Sequence, residues 1–351
     1  MQKKDIVVIG ASAGGVIALV DLFKTIPKDF DGYIFVVLHV SPFSPSVMPQ
    51  ILSRAGHLKA VHPKDGDSMK KNTIYIAPPD HHLLIEKDKV SIKKGPKENR
   101  FRPSIDALFR SAAYTYGSRV IGVILSGLLD DGTSGLWTVN QQGGLCLIQH
   151  PDDAQFPGMP LSVIEYVEVD YSIPIAEMGE LLNRLTKEPA AETTSLSEEE
   201  LNLLKMEISI AAQDNSFEMG LLKKGALTAL TCPECNGALV KFNEGKIVRF
   251  RCHTGHAFTD SALLAGVTKS IEENLWKSVK GLEEAVMILE QTANQFEKAG
   301  KKDTAKLFSR KAAETEKRSQ YIRKYIFEQE RFGEDLWFKE AANGNGGTNK
   351  Q

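Results

Sequence analysis

The sequence predicts a doubly wound α/β domain, with a mostly parallel sheet and helices on both faces, followed by a small zinc ribbon and an α-helical hairpin. Three observations predict this. Over residues 1–186, strand-sized apolar runs alternate with helix-sized amphipathic ones. Runs such as Val120-Ile-Gly-Val-Ile-Leu125 are apolar throughout, as in a strand covered on both faces. Three of the four cysteines then crowd between 232 and 252, ahead of a stretch with helical periodicity to about Phe338.

In order, strands are expected at 5–9, 33–38, 73–77, 120–126 and 145–149. Helices are expected at 15–25, 46–55, 104–117, 134–142, 160–166 and 175–186. The runs 83–86 and 90–93, joined through Lys87-Asp88-Lys89, read as a hairpin. Residues 187–230 form a linker and connecting segment, in which Ser197 and Glu200 predict a capping box and 201–230 has no clear period. A cysteine/histidine module occupies 231–258, and a helical hairpin 259–340, with a break near Ala299-Gly300. Ile271, Leu275, Val279, Leu282, Val286 and Leu289 recur at three and four residues and give its first helix one apolar stripe. The Gly/Asn-rich tail, 341–351, is expected to be disordered.

At 351 residues the chain can hold two or three domains. Its net charge of −2 supplies no field that would draw nucleic acid or an acidic membrane, and neither is expected as a partner. With no 18-residue apolar span and no signal-peptide pattern, a cytoplasmic location without membrane insertion is expected. A reduced compartment with a metal site suits four cysteines in this arrangement better than disulfides.

The first predicted strand runs into Gly10-Ala11-Ser12-Ala13-Gly14-Gly15 and at once into a helix. That turn lifts Ser12 to the carboxyl end of a strand and the amino end of a helix, where free N–H groups and the positive dipole end converge. A serine nucleophile, a bound phosphate or a plain N-capped turn would each suit it. A dinucleotide loop would instead want glycine at 12 and an acid closing the second strand, which here ends in His39. Asp131, in Gly127-Leu-Leu-Asp-Asp-Gly132, follows the strand at 120–126. Ser12, His39 and Asp131 therefore all lie beyond carboxyl strand ends, the edge on which open α/β sheets place their sites. Acyl transfer needs this set: a hydroxyl, a base to take its proton, and an acceptor that fixes the imidazole tautomer. His81 and His82, also near a strand end, compete with His39 for the role of base.

Cys232-Pro-Glu-Cys235 and Cys252-His-Thr-Gly-His256 flank two short strand-like runs, 238–242 and 247–250. A knuckle, a hairpin and a second ligand pair make a zinc ribbon, with Cys232, Cys235, Cys252 and His256 as the four ligands. His256 is preferred because adjacent Cys252 and His253 point in different directions. The stretch 241–251 carries Lys241, Lys246, Arg249 and Arg251, but too few aromatics for base stacking, so docking or dimerisation is the plainer use.

Residues 5–185 resemble the catalytic domain of CheB, the chemotaxis receptor methylesterase family. The matching stretches are Ile9–Gly15, Val37-Leu-His39, Tyr75–Pro79 with His82-Leu83, Arg102–Phe109, Ile121–Gly127, Asp131-Gly132, Gly143-Gly144 and Gly158-Met-Pro160. The family's nucleophile falls on Ser12, its base on His39 and its aspartate on Asp131. The chain departs from the family pattern at Ala13, at Ser126-Gly127-Leu128-Leu129 and at Phe101, where the family often has His. The resemblance implies a hydrolase in chemosensory signal transduction: a protein-glutamate methylesterase acting on methylated chemoreceptors, with receptor glutamine deamidation alongside. It implies no catalytic cofactor, and oxyanion donors among the backbone N–H groups around Ala13 and Leu129. The family's regulatory receiver domain has no room before residue 5, so control by phosphorylation is not expected within this chain. The cysteine module and the helices after it resemble an extension of some stand-alone CheB-like proteins, which could reach other chemosensory proteins. A non-catalytic adaptor binding partners through that extension, or a nucleotide-binding protein using the Gly10–Gly15 loop, are the alternatives.

Overall fold

The structure, a computed structural model, describes residues 2–43, 45–194, 196–213, 220 and 225–328. The expected tail at 341–351 and the end of the second hairpin helix lie outside these residues. Backbone contacts group Met1–Leu263 into one compact unit and Leu264–Gln351 into another.

The first unit opens with β1 (Ile6–Ala11), α1 (Gly15–Thr25), β2 (Tyr33–Leu38), α2 (Met48–Ala55), β3 (Lys59–Val61) and β4 (Thr73–Ile76). The hairpin β5 (His82–Glu86) and β6 (Lys89–Lys93) leads to α3 (Ile105–Tyr116) and β7 (Val120–Ile124). Then come α4 (Thr133–Gln141), β8 (Leu145–Gln149), α5 (Gly158–Tyr166), β9 (Tyr171–Ile173) and α6 (Ile175–Leu185). Seven of these strands form one sheet in the order β3-β4-β2-β1-β7-β8-β9, with every pair parallel. The chain winds outward from β1 through β2, returns to β7 on the other side of β1, and winds outward again. The switch point therefore lies between β1 and β7, where such sheets open a crevice at their carboxyl edge.

Both faces of the sheet are covered, which is why its central strands read as apolar throughout. Val7 and Ile9 of β1 pack with Leu19, Leu22 and Phe23 of α1, Leu52 of α2 and Leu182 of α6. Ile6 and Val8 point the other way, into Ile105, Phe109, Leu136 and Val163 of α3, α4 and α5. Cys146 is buried in that second layer, its thiol donating to the Leu136 carbonyl at 3.5 Å. Burial pushes the thiol pKa far above its ordinary value, so this cysteine is a core residue.

Ser197 and Glu200 form the expected capping box and start α7 (Glu198–Ala211). A four-stranded antiparallel sheet follows: β10 (Ala226–Thr231), β11 (Ala238–Glu244), β12 (Ile247–Cys252) and β13 (Ala257–Thr259). Its core holds Cys232, Leu239, Phe250, Cys252, Phe258 and Leu263. Arg249 and Arg251, counted above in the basic stretch 241–251, are fully buried with 0% exposure. They reach into the α/β domain because strand alternation turns both toward α3. Arg249 Nη1 donates to Ser134 Oγ at 2.5 Å, and Arg251 Nη2 to Glu98 Oε1 at 3.0 Å. Arg110 of α3 pairs with Glu98, and Arg251 with Glu207 of α7. Burial opposes ionisation of Glu98, but the Arg110, Arg251 and Arg249 guanidiniums hold its carboxyl well below the usual range.

The helices α8 (Asp260–Lys298) and α9 (Lys302–Glu328) turn about Gly300, whose φ is 76°. In the second unit Trp276 meets Phe327 edge-on at 5.9 Å, and Phe296 stacks on Phe308 at 5.5 Å. Pairing high positions of one helix with low positions of the other makes the hairpin antiparallel. Leu275, Val279, Leu282, Val286 and Leu289 of the expected stripe are at least partly buried, whereas Ile271 is 42% exposed. Among the described residues no helix is long and apolar enough to cross a membrane.

Candidate active site

Parallel pairing brings the ends of three strands level. Ala11 of β1 lies opposite Leu38 of β2, and Gly10 opposite Ile124 of β7. The next residues continue the ladder, with Ser12 N–H donating to the Ser126 carbonyl at 3.0 Å and His39 N–H to the Ala11 carbonyl at 3.2 Å. Ser12, His39 and Ser126 thus emerge side by side. Gly14 then turns the chain into α1 with φ 72°, a conformation in which a side chain would also press on Ser126 Oγ. Gly127 has no room for a Cβ either, which would overlap Met159 and sit 3.0 Å from Ser12 Cβ.

Ser12 Oγ lies 3.1 Å from His39 Nδ1, and His39 Nε2 lies 2.8 Å from Asp131 Oδ2. The carboxylate can only accept, so the imidazole proton sits on Nε2 and Nδ1 is left to accept from Ser12 O–H. The histidine and aspartate side chains are 5% and 2% exposed, so their hydrogen bond lies at low local dielectric. The three residues expected to act together are hydrogen-bonded in one line. Of the competing histidines, His81 Nδ1 bonds the Pro79 carbonyl at 2.9 Å. His82 is fully buried between the Pro96 carbonyl and Ser104 N–H, at 2.9 and 3.2 Å. Burial lowers the pKa of His82, and its two bonds fit a neutral ring that positions the start of α3.

Asp131 caps that helix. Its Oδ2 accepts from Ile105 N–H at 2.8 Å, and its Oδ1 from Ser104 Oγ at 3.0 Å and from Asn99 Nδ2 at 2.9 Å. Burial raises its pKa, but the hydrogen bonds from His39, Ile105 and Asn99 outweigh this and leave the carboxyl below its ordinary value. Asn99 Nδ2 also donates to Asp106 Oδ2 at 2.8 Å. Burial and the charge of Asp131 push Asp106 up to about 7. Its Oδ1 nevertheless accepts from the N–H groups of Gly132 and Gly135 at 3.1 and 2.6 Å, and with Asn99 donating to Oδ2 we assign the ionised form. Ser104 and Asn99 carry no separate signal in the sequence reading. The stretch Arg102–Phe109 stands out there as a motif, and a serine opening a predicted helix at 104 is the one clue to its capping position.

Phe101 stacks flat on the His39 ring, 3.7 Å between centroids and 7° between planes. An aromatic face beneath an imidazole holds its orientation and stabilises the cation it becomes on taking a proton. Phe101→Ala is expected to lower kcat about 2- to 10-fold with little change in KM, since such a pair is worth about 0.5–1.5 kcal/mol; steady-state ester hydrolysis checks it.

The second cluster lies in the antiparallel sheet. The ligand atoms of Cys232, Cys235, Cys252 and His256 all lie within 4.8 Å of one another. Cys235 Sγ is 3.7 Å from Cys252 Sγ, and His256 Nδ1 is 3.7 and 3.6 Å from the sulfurs of Cys232 and Cys252. A tetrahedron with metal–sulfur bonds of about 2.3 Å has edges of about 3.8 Å, so the four groups can hold a metal ion. His253 is exposed and stands outside the cluster.

The CheB methylesterase family model matches residues 7–182. A Leptospira interrogans protein provisionally named protein-glutamate methylesterase/protein-glutamine glutaminase is 39% identical over 180 residues, covering 51% of this chain and 93% of that one. The protein-glutamate methylesterase/protein-glutamine glutaminase of Thermotoga maritima is 35% identical over 184 residues, 51% of this chain and 54% of that one. The chain thus spans about half the length of the Thermotoga relative. The crystal structure of the Thermotoga maritima CheB methylesterase catalytic domain shares 36% identity and a TM-score of 0.49, covering 52% of this chain and 98% of that one. With half its length matched, through the strands that carry Ser12, His39 and Asp131, this chain belongs to the CheB methylesterase family.

Proposed function

We propose that the chain is a protein-glutamate methylesterase that hydrolyses glutamate γ-methyl esters on the cytoplasmic domains of chemoreceptors and deamidates receptor glutamines by the same route. One observation carries this: the hydrogen-bonded line from Ser12 through His39 to Asp131 at the switch point of the sheet. The names of the relatives support both the ester and the amide substrate. Ser12 Oγ attacks the γ-carbonyl carbon while its proton passes to His39 Nδ1, and the imidazolium is held by Asp131. The tetrahedral oxyanion is met by backbone N–H groups of Ala13 and Leu129, on the two loops that flank Ser12. The C–O bond breaks, methanol departs with the proton from His39, and a glutamyl ester of Ser12 remains. Water, deprotonated by His39, then releases the glutamate. With a glutamine substrate, ammonia leaves instead of methanol. This chemistry needs no cofactor.

Residues 1–186 are assigned this activity in the cytoplasm, and 231–258 and the segment 259–340 are assigned contacts with other chemosensory proteins. The test is methanol release from a methylated receptor fragment by purified protein, with a fluorophosphonate probe reporting on Ser12. Methanol release together with labelled Ser12 is expected. Receptor binding with neither signal would favour the adaptor reading.

We further assign zinc to Cys232, Cys235, Cys252 and His256, since three thiolates and one imidazole are a donor set that suits it. Bound there, the ion supplies folding energy rather than chemistry, roughly 10 kcal/mol in modules of this kind. Metal analysis of purified protein should give about one zinc per chain. Cys232→Ser should lose it and His256→Ala weaken it, while His253→Ala retains it. Metal loss from the His253 variant alone would reverse the ligand assignment.

A further inference from the structure

Asp131 is held in part by a residue that belongs to neither the triad nor the sheet. Asn99 Nδ2 donates to Asp131 Oδ1 at 2.9 Å and to Asp106 Oδ2 at 2.8 Å, and Asn99 is 1% exposed. It opens a two-residue turn closed by Glu98 N–H to the Phe101 carbonyl at 3.1 Å and Phe101 N–H to the Glu98 carbonyl at 2.8 Å. Asn99 and Arg100 both have positive φ, 48° and 75°, in succession. Asparagine tolerates this region, but arginine does so at a cost of about 1–2 kcal/mol. Contacts from the surroundings of the turn add to its own two hydrogen bonds and offset that cost.

The surroundings here come from the cysteine-bearing sheet. β13 runs alongside residues 97–99. Asn99 N–H donates to the Ala257 carbonyl at 2.8 Å, and Ala257 N–H to the Lys97 carbonyl at 3.2 Å. Asn99 Oδ1 accepts from Thr259 N–H at 3.1 Å, which fixes the amide with its NH₂ group toward the two carboxylates. Thr259 Oγ1 donates to Asp130 Oδ1 at 2.9 Å, tying the same strand to the residue before Asp131. β13 begins at Ala257, directly after His256, and Cys252 N–H donates to the His256 carbonyl at 3.0 Å. The metal ligands therefore define the loop from which β13 starts. An unbroken path runs Cys252/His256, β13, Asn99, Asp131, His39, Ser12.

We propose that Asn99 is a positioning residue for the Asp131 carboxylate, and that the metal-holding ribbon, by clamping the turn at Asn99, is a working part of the esterase site rather than an appended module. The inference rests on the reading of Ser12, His39 and Asp131 as the reacting line. Through Asn99, metal binding in the ribbon sets how well Asp131 orients His39. Asn99 holds Asp131 Oδ1 while His39 bonds Oδ2, so the influence is expected on nucleophile activation rather than on substrate binding.

The experiment uses the full chain and reads the rate at which a fluorophosphonate labels Ser12, kcat and KM for ester hydrolysis, and the low-field proton resonance of the His39 Nε2–H bonded to Asp131. Asn99→Ala should slow labelling and kcat about 10- to 100-fold, the range for losing a hydrogen bond to a charged group, with KM within about twofold. The low-field resonance should shift or broaden. Asn99→Asp keeps the shape and the acceptor for Thr259 N–H but loses the donation. It also sets a third carboxylate against Asp131 and Asp106, so a loss larger than in Asn99→Ala is expected there. The neutral Asn99→Ala, with metal content and melting transition retained, assigns the effect to the donated bond. Removing the ribbon metal from the wild type with a chelator, at a temperature where circular dichroism shows the α/β domain still folded, should also slow labelling and shift the resonance. Unfolding of that domain on chelation would overturn the claim that the effect runs through Asn99. In Asn99→Ala, chelation should add little, because the path is already cut.

If wild-type Ser12 is not labelled at all, the reading of the reacting line fails. If it is labelled, two further results overturn the present inference on their own. One is wild-type labelling and resonance in folded Asn99→Ala. The other is a chelation effect in Asn99→Ala as large as in the wild type. Should either Asn99 variant fail to fold, chelation of the wild type decides: an unchanged labelling rate and resonance in the metal-free protein would sink the proposal.

Discussion

Ser12→Ala is expected to abolish methanol release, with a loss that can reach about 10⁶ in kcat where nucleophile and base act as a unit. The residual rate should reflect only binding and the N–H groups of the turn. Asp131→Asn should cost up to about 10⁴ for a different reason. An amide at this position can present its NH₂ group to His39, which reverses the tautomer and turns Nδ1 from an acceptor into a donor toward Ser12. Both variants should fold, since Ser12 is only half-buried and the amide matches the carboxylate in shape. The Asp131→Asn variant would still set an NH₂ group against Ile105 N–H or Asn99, which receive a carboxylate in the wild type. Some loss of melting temperature is therefore expected there and none for Ser12→Ala. Near-wild-type hydrolysis by Ser12→Ala would remove the assignment.

Arg249→Met is expected to produce a large loss of stability without touching a metal ligand. Its guanidinium lies 3.5 Å from Glu98 and Glu207 and 3.6 Å from Asp106 and Glu244, with 0% of the arginine side chain exposed. Removing it leaves buried carboxylates short of one positive charge, a change that costs about 3–5 kcal/mol. For a unit of this size the melting temperature should drop by roughly 10 °C. The drop should appear in one cooperative transition, because the ionic cluster joins β12 to α3 and α7 within a single compact unit. Adding Glu244→Leu removes a matched charge and should recover much of the loss, since apolar replacement of a whole buried pair is often neutral. Differential scanning calorimetry reads both outcomes. Two separate transitions, with only the smaller one shifted, would contradict the coupling.

The sequence by itself determined the layered α/β fold, because the central strands of the sheet are buried on both faces and their apolar runs say so directly. It also placed Ser12, His39 and Asp131 beyond carboxyl strand ends that a parallel sheet brings together, with His81 and His82 as competitors for the base. The family resemblance singled out the three, and the hydrogen bonds that join them belong to the tertiary structure. The cysteine spacing determined the ribbon hairpin for a similar reason, since the ligands are local. What it missed depended on partners distant in the chain. β3 and β9 are three residues each, too short for any period, and exist because β4 and β8 offer them an edge. Arg249 and Arg251 read only as part of a basic stretch, and the packing of β12 against α3 and α7 supplies them with Glu98 and Glu207. Asn99 holds no local signal at all. Its amide is oriented by β13, through a bond between residues 160 apart. Local propensity and periodicity report what a segment can do with its neighbours, so a site completed by long-range hydrogen bonds becomes visible only when the tertiary structure brings the donors in.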